Sequence, residues 1–367
     1  MSHLAILGSR HSVTRHSLKC VVVSISAVVV AMCACQAHAS WTVTRLGQGQ
    51  ARSTFGGQQV GSVGGSAALW NGTASSLLSL HPAGATESAA FFTTGIQQVG
   101  FARVSDRAHA SLWGGTAGSW VDLHPLSAVG STAYGAAGNQ QVGWVAAEFD
   151  GATQSHAALW NGTASSWTDL NPLGASSSEA WATTGAKQAG YVETFSGQVR
   201  ASLWSGTAAS WINLHPADAE HSQAFGAYGL QQVGVASFGG VGHASLWSGT
   251  ASSWIDLHPP GAFSSGAQAI HSSYQVGTVS LAAFGPSHAS LWTGTAASWQ
   301  DLHAVLPSEF LNSSASAVWS DSGVIHVVGN GTTAAGHEAL LWTWVVPPPS
   351  TLVVFCFAVL PVAKRRR

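Results

Sequence analysis

Charge is scarce in this sequence. Charged side chains make up 8% of the 367 residues, so its polarity is mostly uncharged hydroxyl and amide, a composition suited to closely packed short strands. Bases are scarcer still. Between Ser40 and Val346 there are six, Arg45, Arg52, Arg103, Arg107, Lys187 and Arg200, against all fifteen acids of the chain. A body this acidic argues against nucleic acid as a partner. Cysteine is missing from the same stretch, since Cys20, Cys33, Cys35 and Cys356 all lie towards the ends. The body therefore has neither disulfides nor thiolate metal sites, and its stability must come from a large core. No segment of it keeps a helical period, and GxSxG, a phosphate loop and HExxH are all lacking.

What is there is repetition. His243 to Pro259 reads HASLWSGTASSWIDLHP, and close copies recur through most of the length. Leu-Trp pairs stand at Trp70, Trp113, Trp160, Trp204, Trp247, Trp292 and Trp342, spaced by 43, 47, 44, 43, 45 and 50 residues. Periods of this length mean a solenoid or a propeller. Each module divides into four strand candidates, as in Ser222 to Tyr228, the run from Gln231, His243 to Trp247, and Trp254 to His258. Apolar and small polar residues alternate within them, and Gly or Pro stands at the breaks. A Val-Gly or equivalent step recurs at Gly61, Gly100, Gly143, Gly190, Gly234, Gly277 and Gly329.

The ends complement each other. Trp41 to Leu46, WTVTRL, matches the second half of a module with no first half before it, and the last module stops after Trp342 without its fourth strand. A ring closed by the N-terminal strand needs no separate caps and protects the sheet edges. The expectation is an all-β, seven-bladed β-propeller of four-stranded blades over residues 40–344, with the N-terminal strand completing the last blade. An open solenoid is the alternative.

Residues 1–39 read as a signal peptide: Arg10, Arg15 and Lys19 precede an apolar run from Cys20 to Ala34, then Ala37-His38-Ala39. A lipoprotein reading through Cys33 or Cys35 is weaker, because Met32 stands where a small residue belongs. Residues 345–367 combine a proline brake, an apolar run from Leu352 to Ala363 and four terminal cations. Twelve residues of helix cover about 18 Å, short of the ~30 Å hydrocarbon core unless the residues from Val345 contribute. The basic tail would stay cytoplasmic; a hydrophobic terminal strand is the alternative.

The Leu-Trp tryptophans are expected to pack between blades. A second set, Trp120, Trp167, Trp211, Trp254 and Trp299, lies beside Gly-Thr-Ala turns and is the candidate ligand-binding set, with packing as its plainer role. His81, His124, His215, His258 and His303 recur before a turn, with Asn171 in the matching place. They could hold a metal, but Asn keeps the hydrogen bonding and not the imidazole ligation, so backbone satisfaction is expected instead. Asp122, Asp169, Asp256 and Asp301 suit turn caps. Carboxylates in symmetric positions do not make an acid and base pair. The Gln-Gln pairs could contact sugars or pair with backbone. No catalytic residue, metal or cofactor is expected.

Two resemblances follow. The repeats resemble the bacterial extracellular HAF repeats, His-Ala-Phe-Leu-Trp followed by Asp-Leu and a Val-Gly segment. His109, His156, His243 and His288 fit, with Ser111, Ala158, Ser245 and Ser290 in place of the Phe. The tail resembles the PEP-CTERM sorting signal through Val346, Pro347, Pro349, Ser350, Leu352 and Arg365 to Arg367, with Pro348 where that family has Glu. The resemblances imply an extracellular propeller-like protein and either processing by an exosortase-type enzyme or simple membrane retention. The expected function is an exported, envelope-associated, non-enzymatic module with a structural or interaction role in the extracellular matrix. Its partners would be envelope or matrix glycans or proteins. The alternatives are a multivalent lectin using the second tryptophan set, and a polysaccharide hydrolase whose catalytic residues lie in the irregular stretches Phe149 to Gln154 or Pro307 to Ser322, with Glu309 and Asp321 in the latter as the positions to test.

Overall fold

A computed structural model describes residues 40–149 and 151–345. The expected signal peptide and sorting tail lie outside the described residues. Among the described residues no helix is long and apolar enough to cross a membrane.

Seven four-stranded antiparallel sheets build the protein. Their first strands are Gln50–Phe55, Glu87–Thr93, Gly130–Ala137, Ala175–Thr183, His221–Tyr228, Ser264–His271 and Asn312–Asp321, which number blades 1 to 7 in chain order. First strands of neighbouring blades touch one another all the way round, blade 7 against blade 1 included. They therefore wall a central channel, and the fold is a seven-bladed β-propeller. Within blade 5 the order runs outwards through His221–Tyr228, Gln231–Phe238, Val241–Trp247 and Ile255–Asp256.

Blade 7 is closed by the N-terminal strand. Thr42–Gln48 pairs antiparallel with Gly336–Val345, with Val43 opposite Trp342. The outer strands of the other blades are only two residues long, as in Ile255–Asp256, whereas the closing strand has seven. The seam of the ring thus carries the longest outer pairing.

The expected fourth strand from Trp254 to His258 is shorter in the structure. Trp254 instead ends a 3₁₀ turn, Ala251–Ser253. The cause is local: Ser253 Oγ accepts the Ser248 N–H at 2.8 Å and donates to the Thr250 carbonyl at 2.6 Å. Such side-chain bonds compete with the strand ladder for the backbone.

The Leu-Trp tryptophans are almost fully buried. Trp247 of blade 5 packs with Ala224 and Ala236 of its own blade and with Leu203 and Leu214 of blade 4. Rings of this size remove about 150–250 Å² each from water, so the core is a set of blade-to-blade contacts. The second Gln of each pair accepts a backbone N–H of the following turn through Oε1. Gln232 Oε1 accepts the Gly249 N–H at 2.9 Å, and its Nε2 donates to the Leu230 carbonyl at 2.9 Å.

Every first strand slips register by one residue at the same place. In blade 5 the slip falls between Ala224 and Gly226, and in blade 1 between Ala51 and Ser53. The residue before each slip is a fully buried alanine, and its partner on the second strand is the repeated glycine, as in Ala224 opposite Gly234. A Cβ on Gly234 would stand 1.9 Å from the Gln223 carbonyl oxygen, and the other six glycines meet the same obstacle. The glycine is therefore the partner that a β-bulge requires.

Candidate ligand site in the channel

The residue extruded at each bulge is Arg52, Phe91, Tyr134, Trp181, Phe225, Gln268 or Ser316, from blade 1 to blade 7. All seven line one central cavity of ≈ 770 Å³. That volume falls in the roughly 300–1,000 Å³ range of small-molecule sites. A bulge re-aims a side chain, and here seven of them converge.

The ring is lopsided. Phe91, Tyr134, Trp181 and Phe225 form a continuous arc over four neighbouring blades, with centroid separations of 5.4, 6.3 and 4.7 Å. The aromatic sector reaches one strand deeper in blades 2 to 4. Phe101 lies 5.8 Å from Phe91, the Trp144 Nε1–H donates to the Tyr134 hydroxyl at 3.1 Å, and Tyr191 meets the Trp181 ring edge-on at 5.3 Å. The opposite sector is polar, with Gln268, Ser314, Ser316, Asn330 and the imidazole of His337.

Arg52, Glu179 and Tyr134 are ionisable groups beside the aromatic arc. The Arg52 guanidinium lies over the Phe91 ring at 4.9 Å from its centroid and donates to Gln50 Oε1 at 2.6 Å. It is open to the lumen, yet the protein packed around it lowers its pKa by desolvation. Among the described residues no carboxylate lies within ion-pair distance of it. Glu179, two residues before Trp181, accepts the Trp181 Nε1–H at 2.6 Å. Burial raises its pKa, against the hydrogen bonds from Trp181 and Tyr191. Burial, helped by Glu179, also pushes the Tyr134 phenol up to about 12.

Trp120, Trp167, Trp211, Trp254 and Trp299 lie elsewhere, at the start of the outermost strand of blades 2 to 6, one to a blade. They are half-buried, each packed on a blade-to-blade cluster. The indole N–H groups of Trp120, Trp211, Trp254 and Trp299 donate to Ser111, Ser202, Ser245 and Ser290 at 2.9 to 3.0 Å. Trp167 faces Ala158 at that place, and its N–H has no acceptor among the described residues.

The repeated histidines serve blade junctions. His81, His124, His215 and His258 each contact a serine of the next blade through Nδ1 and a turn carbonyl through Nε2. His303 makes the serine contact too, with Ser313 at 2.9 Å. The earlier histidines donate Nδ1–H to the repeated aspartates, as His243 does to Asp256 at 2.9 Å. Each of these aspartates caps the next turn through its other oxygen, Asp256 accepting the His258 N–H at 2.8 Å. Among the described residues no three His, Cys, Asp or Glu side chains gather as a metal site.

Glu309 and Asp321 stand at opposite ends of Asn312–Asp321. Ten strand residues span about 30 Å, so the two carboxylates do not form an acid and base pair. Glu309 is paired with Arg45 on the closing strand.

No protein-family model matches the chain, and no curated protein matches it. Solved structures do. The β-propeller domain of the Trilobed protease from Pyrococcus furiosus aligns with a TM-score of 0.53 at 11% identity, over 80% of this chain and 93% of that one. A puromycin-hydrolyzing peptidase of Mycobacterium tuberculosis gives 0.54 at 10% identity, over 81% of this chain and 54% of that one. TolB from Acinetobacter baumannii gives 0.42 at 12% identity, over 58% and 53%. This chain spans about half the length of the last two. At these identities the likeness is one of fold alone.

Proposed function

We propose that this protein is an exported, envelope-associated propeller that works by binding, without turnover, and that its central channel is the ligand site. A propeller is suited to an interaction role, because the ring is rigid and its bulge side chains converge on one cavity. The observation that carries the reading is the lopsided bulge ring. Identical blade frames hold a different side chain at this one place in almost every blade, and the apolar ones are contiguous. A purely structural lumen has no need of that division. Export rests on the N-terminal basic and apolar pattern, and matrix association on the tail and on the likeness to HAF repeats.

The test is retention of the protein on a panel of envelope and matrix polysaccharides, comparing wild type with Trp181→Ala and Trp254→Ala. Saturable retention lost in Trp181→Ala supports the channel. Loss confined to Trp254→Ala moves the site to the rim, and retention on none of the glycans turns the search to protein partners. Recovery of the protein from the envelope with Ser40 as its first residue tests export.

A multivalent rim lectin is the second reading. It is favoured by the fivefold recurrence of half-exposed tryptophans at equivalent rim positions, from which several weak sites could sum to useful avidity.

A further inference from the structure

We infer that the channel takes an anionic saccharide, its carboxylate held by Arg52 and the apolar faces of its rings laid against the aromatic arc. This rests on the reading of the channel as the ligand site and names the ligand class.

Arg52 is the first ground. A guanidinium has five N–H donors, and the only acceptor it meets among the described side chains is Gln50 Oε1. The Phe91 ring beneath it occupies one face of the guanidinium, so its in-plane donors are what remain for a ligand. A carboxylate is the acceptor whose two oxygens match that planar fork. Elsewhere in the protein the arginines beside carboxylates are paired, Arg45 with Glu309 and Arg103 with Glu87.

The two sectors of the ring are the second ground. Sugars present C–H faces that stack on aromatic rings and rims of hydroxyls that need donors and acceptors. Tyr134, Trp181 and Phe225 supply the first need. Gln268, Ser316 and Asn330 supply the second with neutral groups able both to donate and to accept. A flat aromatic acid would leave that polar sector unused.

Glu179 is the group that would oppose an anion. Its carboxylate is already engaged by Trp181, and it sits in blade 4, three blades from Arg52. The carboxylate of the ligand is thereby directed to the blade 1 side.

The experiment titrates the full chain by calorimetry with an oligogalacturonate, with its carboxyl-reduced neutral counterpart, and with benzoate. The variants are Arg52→Gln, Trp181→Ala and, as a control on the exposed hairpin of blade 2, Arg107→Gln. We expect the acidic sugar to bind about 10- to 100-fold more tightly than the reduced one, the size of a charge-assisted hydrogen bond. That preference should vanish in Arg52→Gln and persist in Arg107→Gln. The reduced sugar reads the same contact without any mutation, so a misfolded variant does not spoil the test. Equal affinity for the two sugars, with binding still lost in Trp181→Ala, overturns the anion inference and leaves the channel reading standing. Binding unaffected by Trp181→Ala overturns the inference together with the channel reading, and no binding of either sugar to wild type overturns the saccharide inference alone. Benzoate binding more tightly than both sugars overturns the saccharide class.

Discussion

His258 Nδ1 stands 2.8 Å from Ser265 Oγ, and this contact fastens blade 5 to blade 6. Ser265 belongs to the first strand of blade 6 and accepts the Ala244 N–H of blade 5 at 2.8 Å. The other ring nitrogen of His258 faces the Ala262 carbonyl at 3.2 Å. A carbonyl only accepts, so Nε2 carries the proton and the Ser265 hydroxyl donates to Nδ1. Blade 3 runs the same clamp with Asn171, whose Oδ1 accepts from Ser178 at 2.6 Å.

That natural replacement sets the first prediction. His258→Asn should cost less than about 1 kcal/mol, because the acceptor survives, whereas His258→Leu leaves a buried hydroxyl unpaired at about 1–3 kcal/mol. Urea unfolding of the two variants checks the order, and equal losses would refute the clamp.

Stability should fall on mild acidification. Burial lowers the pKa of His124, His215, His258, His271, His303 and His326, and stacked histidines lower it further at His124, His258 and His303. A lowered folded pKa means that the unfolded chain binds more protons. The stabilisation is therefore complete above about pH 6.5, the unperturbed value, and is lost as pH falls through the folded values. Glu179, raised by burial, acts in the opposite sense, but it is one group against six. Melting temperatures measured from pH 8 to 5 should be level at first and then decline, and a flat profile to pH 5 would contradict the assignment.

Gly234→Ala should damage the fold although alanine has the better intrinsic fit to a strand. Its Cβ would meet backbone atoms, the Gln223 carbonyl at 1.9 Å and Ala224 Cα at 2.9 Å. Overpacking of this kind costs roughly 1–3 kcal/mol or more. Gly229→Ala at the neighbouring hairpin, where nothing lies within 4 Å, suffers only the strain of its positive φ of 57°. Thermal melts of the pair should rank Gly234→Ala lower.

The ring tryptophans should differ in their tolerance of phenylalanine. Trp247 Nε1 is buried with no acceptor among the described residues, whereas Trp342 Nε1 donates to the Leu302 carbonyl at 3.1 Å. Trp342→Phe should therefore cost about 1 kcal/mol more than Trp247→Phe, the worth of one hydrogen bond. Alanine at either place should cost about 3–5 kcal/mol. Chemical denaturation of the four variants reads both differences.

Much of the architecture was legible because the chain repeats itself. The interval between Leu-Trp pairs marked the blades, and the missing half-modules at Trp41 and Trp342 marked the seam, since both follow from counting. The channel was not legible by the same means. Repetition draws the eye to what recurs, such as Trp254 and His258, and in this fold the recurring residues hold blades together. The channel residues are those that fail to recur. A signal was present: each recurring second-strand glycine pairs with an alanine, and the position after that alanine changes from Arg52 to Phe91 to Trp181. The pairing of His243 with Asp256 was readable too. Blades 1 and 4 lack both members together, with Ser66 and Ser79 in one and Arg200 and Asn213 in the other. The 3₁₀ turns escaped because side-chain bonds from Ser253 and its repeat mates, invisible to an alternation pattern, override the strand.

The bulge separates two inheritances. Alanine and glycine on either side of it hold the backbone, while the extruded side chain faces the lumen. Selection can therefore rewrite the lumen one blade at a time, substituting an aromatic for an amide or a cation, while the alanine and glycine that set the backbone stay in place. Proteins sharing this frame need not share a ligand, and their specificities should be sought in the seven side chains read in order around the ring.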